Sequence, residues 1–178
     1  PIWWQPHGGC QSHIGSTCTD AQCNRTVRAI GTSTSTTGDF RSTDWGANTE
    51  VNADHENPTQ QFYSQVSWPY YNIYLGIVMV FDAVDPPDIY GKGKVHCELV
   101  WSRDGSKFER LTPGQDFVPL GSIDAHDFDS HICFASAHPF KLPNGTVAVY
   151  YMGGDGPHYS PPYPDPLHRN SSWALATL

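Results

Sequence analysis

A strand-and-turn unit that recurs along the chain constrains its fold more than any other feature. Arg28–Ser33, Cys97–Ser102 and Trp173–Leu178 read alike: short, apolar and rich in β-formers. Their centres lie 69 residues apart from Ile30 to Leu99, and 76 apart from Leu99 to Leu175. The first two lead into similar turns, Ser35-Thr36-Thr37-Gly38-Asp39-Phe40 and Ser102-Arg103-Asp104-Gly105-Ser106-Lys107-Phe108. An Asp that caps and a Gly that accepts positive φ suit a tight hairpin, so Asp104 is read as a turn residue. A second strand type precedes these units at Asn72–Asp82 and Thr146–Gly153, apolar on both faces as a buried strand should be. A further type comes before those, at Gln61–Val66 and Asp129–Ala137. No segment sustains a helical period. Four short strands repeated at this spacing predict an all-β chain built from blades of a β-propeller.

Phasing the repeat gives one four-stranded blade over about 60–119. It is flanked by the outer half of an earlier blade at 26–51 and the inner half of a later one at 129–178. Half blades leave strand edges at Val27–Ser33 and Ser172–Leu178, and bare edges template pairing with other chains. Another protein chain, or the remainder of a cleaved precursor, is therefore expected to cover them. The chain opens on Pro1 without a leader, which is read as a mature or cleaved product. Residues 1–25 form a separate Cys-containing loop segment, and 26–178 the partial propeller domain.

Composition narrows the function classes. The 178 residues carry 10 Lys plus Arg against 18 Asp plus Glu, a formal charge of −8. Phosphate neutralisation needs a basic face, so nucleic acid is excluded as a partner. No apolar run approaches the ~20 residues of a helical membrane span. With 16 Gly, 15 Pro and 13% aromatics, the chain is loop-rich yet too aromatic for disorder. No P-loop, dinucleotide fingerprint or nucleophile elbow occurs, and no cofactor is expected.

Five cysteines are present, an odd number: Cys10, Cys18, Cys23, Cys97 and Cys133. Zinc is one reading of the first three, with His7 and His13 nearby, but their C-x7-C-x4-C spacing matches no strong zinc pattern. A disulfide involving Cys10, Cys18 or Cys23 is the preferred reading. Cys97 shares a strand face with Val95, Leu99 and Trp101 and is expected to be buried. Sequons at Asn24, Asn144 and Asn170 point with the cysteines to a secreted, extracellular glycoprotein, and Asn144-Gly145 reads as a hairpin tip.

The densest polar cluster is Asp124-Ala125-His126-Asp127-Phe128-Asp129-Ser130-His131, entering a strand. One reading makes Asp129 and His131 sugar-binding groups, with a metal site as a variant. The other is a solvated acidic loop with one capping Asp. Asp155 and His158 end the next strand, so they should share an end of the sheet with Asp129. Trp68, Tyr70, Tyr71, Tyr159 and Tyr163 could stack on sugar rings or simply pack the blades. The Pro-rich 157–166 stretch is read as an extended loop and a candidate partner contact.

Several strings resemble proteins related to the five-bladed β-propeller glycoside hydrolases of families 32, 43 and 68. They are Phe62-Tyr63-Ser64-Gln65 with Pro69-Tyr70, Tyr74-Leu75-Gly76, Trp101-Ser102-Arg103-Asp104-Gly105, Phe128-Asp129-Ser130, Tyr150 to His158, and Leu175-Ala176-Thr177-Leu178. The resemblance covers about 26–178 and implies sugar chemistry around a central funnel. It maps Asp129 onto the stabilising Asp of those enzymes, the one catalytic candidate, and makes Asp129, His131, Asp155, His158 and Tyr63 candidate carbohydrate contacts. The first-blade nucleophile has no counterpart here, and Glu98 is the nearest carboxylate to the acid/base Glu. Since hydrolysis needs two carboxylates across the bond, a non-catalytic carbohydrate-binding or scaffold role is expected of this chain. The alternative is a fragment of an active hydrolase of β-fructosides or arabinosides.

Overall fold

A computed structural model describes residues 30–39, 41, 49–50, 60–82, 93–156, 158 and 170–177. The described residues contain no helix. Cys10, Cys18, Cys23, Asn24, Tyr159 and Tyr163 lie outside them.

β1 (Gly31–Thr32) and β2 (Thr49–Glu50) form a small antiparallel ladder of their own. The remaining strands belong to one sheet. β3 (Gln60–Tyr70) and β4 (Ile73–Asp82) make a hairpin whose tip is Tyr71-Asn72. β4 is buried on both faces, as its apolar sequence requires. Ile77, Met79 and Phe81 enter the larger core, while Val78 and Val80 enter a smaller one with Ile30, Phe62, Val100 and Phe108. β5 (Val95–Ser102) pairs antiparallel with β4 and, through the Ser102–Phe108 turn, with β6 (Glu109–Arg110). Asp104 builds that turn. Its carboxylate accepts from the Ser106 amide (2.8 Å) and hydroxyl (2.7 Å), and Gly105 sits at φ 77°. These hydrogen bonds hold the Asp104 carboxyl down at about 2.

The second half starts at β7 (Ile132–Ala135). β8 (Phe140–Lys141) continues its direction along β9 (Val147–Gly154), and β10 (Ser171–Thr177) flanks β9 on the other side. Asn144 and Gly145 form the exposed hairpin tip between β8 and β9. Asn144 Oδ1 accepts from the Thr146 amide at 3.0 Å, and Gly145 has φ 88°.

Strands β3 to β6 thus form a four-stranded antiparallel meander, and β7/β8, β9 and β10 a three-stranded one, near the boundaries expected for successive blades. They are not separate sheets, however. β7 adds to β5 in parallel through Val95↔Ile132, giving one open mixed sheet in the order β10-β9-β7-β5-β4-β3. The far edge of β5 is shared by three segments. β6 pairs at Val100 and Trp101, Val118 bridges Cys97, and β7 pairs at Val95. None of these partners runs the eight residues of β5, so its edge is satisfied piecewise.

The sheet also curls. β3 and β7 are three strand spacings apart in order, roughly 14 Å if flat. Yet residues of β7 come within 8 Å, Cα to Cα, of both β3 and β4. The larger core fills that concavity, with Phe81, Val95, Ile132, Val149 and Tyr151 among its members. A disulfide between Cys97 and Cys133 crosses the same junction, with Cα atoms 5.8 Å apart. Cys97 is buried as its strand face requires, but its pairing with Cys133 is not written in the local sequence pattern.

Candidate functional site

One end of the sheet brings several polar side chains together, the buried Asp129 and Ser130 among them. The starts of β3, β5, β7 and β10 and the ends of β4 and β9 meet there. Backbone hydrogen bonds fix the convergence: Val95 N donates to His131 O (2.9 Å), His131 N to Gly154 O (3.0 Å), Asp155 N to Asn170 O (3.2 Å) and His158 N to Gly93 O (3.3 Å). Asp129, His131, Asp155 and His158 therefore share this end.

The loop before β7 sorts its acidic residues into different jobs. Asp127 is the capping residue, its Oδ2 accepting from the Ser122 amide at 2.8 Å. Asp124 and His126 face solvent, and His126 adopts φ 55° in the turn. Asp129 turns inward and is only 8% exposed. Its Oδ2 accepts a 2.6 Å hydrogen bond from the Tyr151 hydroxyl. Burial, then the bond to Asp129 and its negative charge, push the Tyr151 phenol far above its ordinary range. The carboxylate is wedged between two backbones. A Cβ on either Gly121 or Gly153 would collide with Asp129, so both positions need glycine for close approach rather than for backbone angle.

The solvent-facing part of the site lies beside it. Asp155 accepts from the Asn170 backbone amide (2.7 Å) and from Asn170 Nδ2 (2.9 Å). The Asn170 hydrogen bonds first, and the nearby His131 charge last, hold the Asp155 carboxyl below its usual range. His131 Nδ1 lies 3.0 Å from the Ser130 hydroxyl. Tyr63 and His158, two further sequence candidates, are brought together at 4.8 Å between ring centres, with Phe81 stacked on Tyr63 at 5.0 Å. Tyr63 reaches this position because the register slips between Phe62 and Ser64. It is the extra residue of a β-bulge, and bulges re-aim side chains.

A second polar group, on the other face of β5, escaped the sequence reading except for Glu98. His96 is 5% exposed and sits between two carboxylates, with Nε2 3.1 Å from Asp82 Oδ2 and Nδ1 2.9 Å from Asp116 Oδ1. Glu98 is fully buried. It accepts from Arg110 Nη1 at 3.2 and 3.3 Å and from the Gly114 amide at 2.8 Å. Gln60 bridges the group, donating to Asp82 and accepting from Arg110, both at 2.8 Å. One signal was present in the sequence. In Val95-His96-Cys97-Glu98-Leu99-Val100 the polar residues alternate with apolar ones, placing His96 and Glu98 on one face of a strand that is otherwise all core.

Among the described residues, no cluster of His, Cys, Asp and Glu has the geometry to hold a metal ion, and no helix is long and apolar enough to cross a membrane. No family model, curated protein or solved structure matches the chain.

Proposed function

We propose that this protein is an extracellular, non-catalytic carbohydrate-binding protein of β-propeller-like design, with its sugar contacts at the polar end of the sheet. The observation that carries this reading is the convergence of His131, Asp155 and Asn170 at one sheet end that also holds the Tyr63–His158 ring pair. Sugar hydroxyls donate and accept at once. A carboxylate, an amide and an imidazole side by side meet both needs, and an aromatic face takes the apolar side of a pyranose or furanose. The successive antiparallel meanders and the curl between them support the blade arrangement. The Cys97–Cys133 disulfide is compatible with an oxidising compartment.

The non-catalytic part rests on Asp129. A catalytic carboxylate must reach the reacting carbon or its proton. This one is buried and committed to Tyr151. Calorimetric titration against β-fructosides, arabinosides and a broad glycan panel tests the proposal. Binding is expected, weakened at least tenfold by Asp155→Ala or His131→Ala without loss of fold. Absence of binding to every glycan would sink the sugar reading. Turnover of aryl glycosides, abolished by Asp129→Asn, would sink the non-catalytic one.

One observation favours the scaffold variant of the proposal. On β10, Ala174 and Ala176 pack on the core, while Trp173 and Leu175 point the other way, and Trp173 is 69% exposed. Leu175 lies directly across from the exposed Tyr150. An apolar strip of this kind suits a protein partner. Light scattering with and without Trp173→Ser checks it: a wild-type assembly that the variant dissolves is expected, and a monomer in both would remove this variant.

A further inference from the structure

The segment after β6 does not simply run along β5. It leaves β5 after Leu111, whose amide donates to Leu99 O at 3.0 Å, and returns at Phe117, whose amide donates to Cys97 O at 2.7 Å. Between these points it arches over the face that carries His96 and Glu98. Two side chains of β5 hold the arch. Glu98 takes the Gly114 amide, and His96 takes the Asp116 carboxylate. The second oxygen of Asp116 accepts from the Leu120 amide at 3.4 Å, where the chain enters the loop that presents Asp129.

His96 is surrounded by acid. Asp82 faces it from β4, Glu98 from its own strand at 3.6 Å, and Asp116 from the arch. Arg110 of β6 is bound to Glu98 and Gln60, and Gln60 of β3 to Asp82. A neutral imidazole has a single N–H. Nδ1 makes the hydrogen bond to Asp116, while Nε2 faces Asp82 as a close ion pair without hydrogen-bond geometry. Only the imidazolium sets a positive charge between the carboxylates and makes the Asp116 bond charge-assisted. Its loss would leave three carboxylates around a buried ring, with Arg110 the cation bound among them.

We propose that His96 is a protonation-dependent latch for the 112–116 arch: as the imidazolium it ties Asp116 to the sheet, and on losing its proton it lets the arch go. Burial opposes the charge on His96, but the close carboxylate of Asp82, followed by those of Glu98 and Asp116, outweighs it and raises the proton affinity above that of an ordinary imidazole. The arch is thus closed below the raised folded value of His96 and opens as pH rises through it. The latch does not depend on whether the polar end binds sugar.

The test follows the His96 ring by NMR from pH 5 to pH 10 in the intact protein, together with hydrogen-exchange protection factors, which remove the intrinsic base catalysis of exchange. His96 is expected to titrate above about 6.5. Protection of the Phe117 and Leu120 amides should fall at least tenfold through the same midpoint, while the β9–β10 ladder stays unchanged. In His96→Gln the Phe117 and Leu120 amides should be poorly protected at every pH. Should that variant not fold, Asp116→Asn reports instead, with an open arch and a lowered His96 midpoint. Titration of His96 with no change at Phe117 and Leu120, or the same pH dependence of protection in His96→Gln, would overturn the latch.

Discussion

Arg110 and Glu98 show what a buried charge demands of its neighbours. Glu98 has no access to water, and its carboxylate oxygens are held by Arg110 and the Gly114 amide. Removing one partner of a buried pair is typically worse than removing both. Arg110→Met is expected to destabilise the fold by about 3–5 kcal/mol, and adding Glu98→Leu should recover part of that loss. Urea denaturation of the two variants decides it, and a double variant no more stable than the single would show that Glu98 does not need Arg110. Asp82 and His96 set a pH window. Burial raises the Asp82 carboxyl, but His96, Gln60 and Arg110 outweigh it and the net displacement is downward. A carboxylate depressed in the fold stabilises above its unfolded value of 3.8 and loses that contribution as pH falls through the lower folded value. His96, raised in the fold, stabilises fully below about 6.5 and loses its contribution as pH rises through the higher folded value. Both act together between those limits. The midpoint of thermal unfolding should fall on either side of the window in the wild type, and both slopes should shrink in Asp82→Asn. Unchanged slopes would mean that the pair is not linked to folding.

At the scale of elements, the weak point is the contact between β5 and β7. The antiparallel pairs around it share long ladders, β3 with β4 and β9 with β10, whereas β5 and β7 register at a single residue pair. Parallel pairing joins segments that no tight turn can connect, and 29 residues separate Ser102 from Ile132. The disulfide lies at this junction and closes a loop with a sequence separation of 36. In the chain-entropy account such a closure is worth about 3–4 kcal/mol. Cys97→Ala with Cys133→Ala should lower stability by roughly that amount. Exchange protection should fall first at Val95 and His131, and last within the β9–β10 ladder. Uniform loss across both halves would show that the sheet unfolds as one unit irrespective of the staple.

For the molecule as a whole, the exposed Asn144 tip and the disulfide bear on compartment. A hairpin tip is open to modifying enzymes, whereas Asn170 Nδ2 is engaged by Asp155. Expression through a secretory route should yield a glycan at Asn144, lost in Asn144→Gln. Intact mass before and after deglycosylation checks this, and an unmodified mass in secreted protein would remove glycosylation from the extracellular argument.

Strands and turns are legible in the sequence because local chemistry specifies them. β4 is apolar at consecutive positions and is buried on both faces. Asp104-Gly105 and Asn144-Gly145 need only a capping side chain and a positive φ, which neighbouring residues supply. The placement of Asp129, His131, Asp155 and His158 at one end also followed from strand direction alone, because a hairpin returns the chain to where it began. Pairings between distant segments carry no such local signature. Tyr151 meets Asp129 across 22 residues, His96 meets Asp116 across 20, and Cys97 meets Cys133 across 36. Period and propensity determine which face of a strand is buried, but they are blind to which other strand covers it. The two meanders therefore read as independent units in the sequence. Only the tertiary fold, by laying β7 along the edge of β5 and curling the sheet around Phe81 and Tyr151, decided that they share one sheet, one staple and one acid-lined histidine.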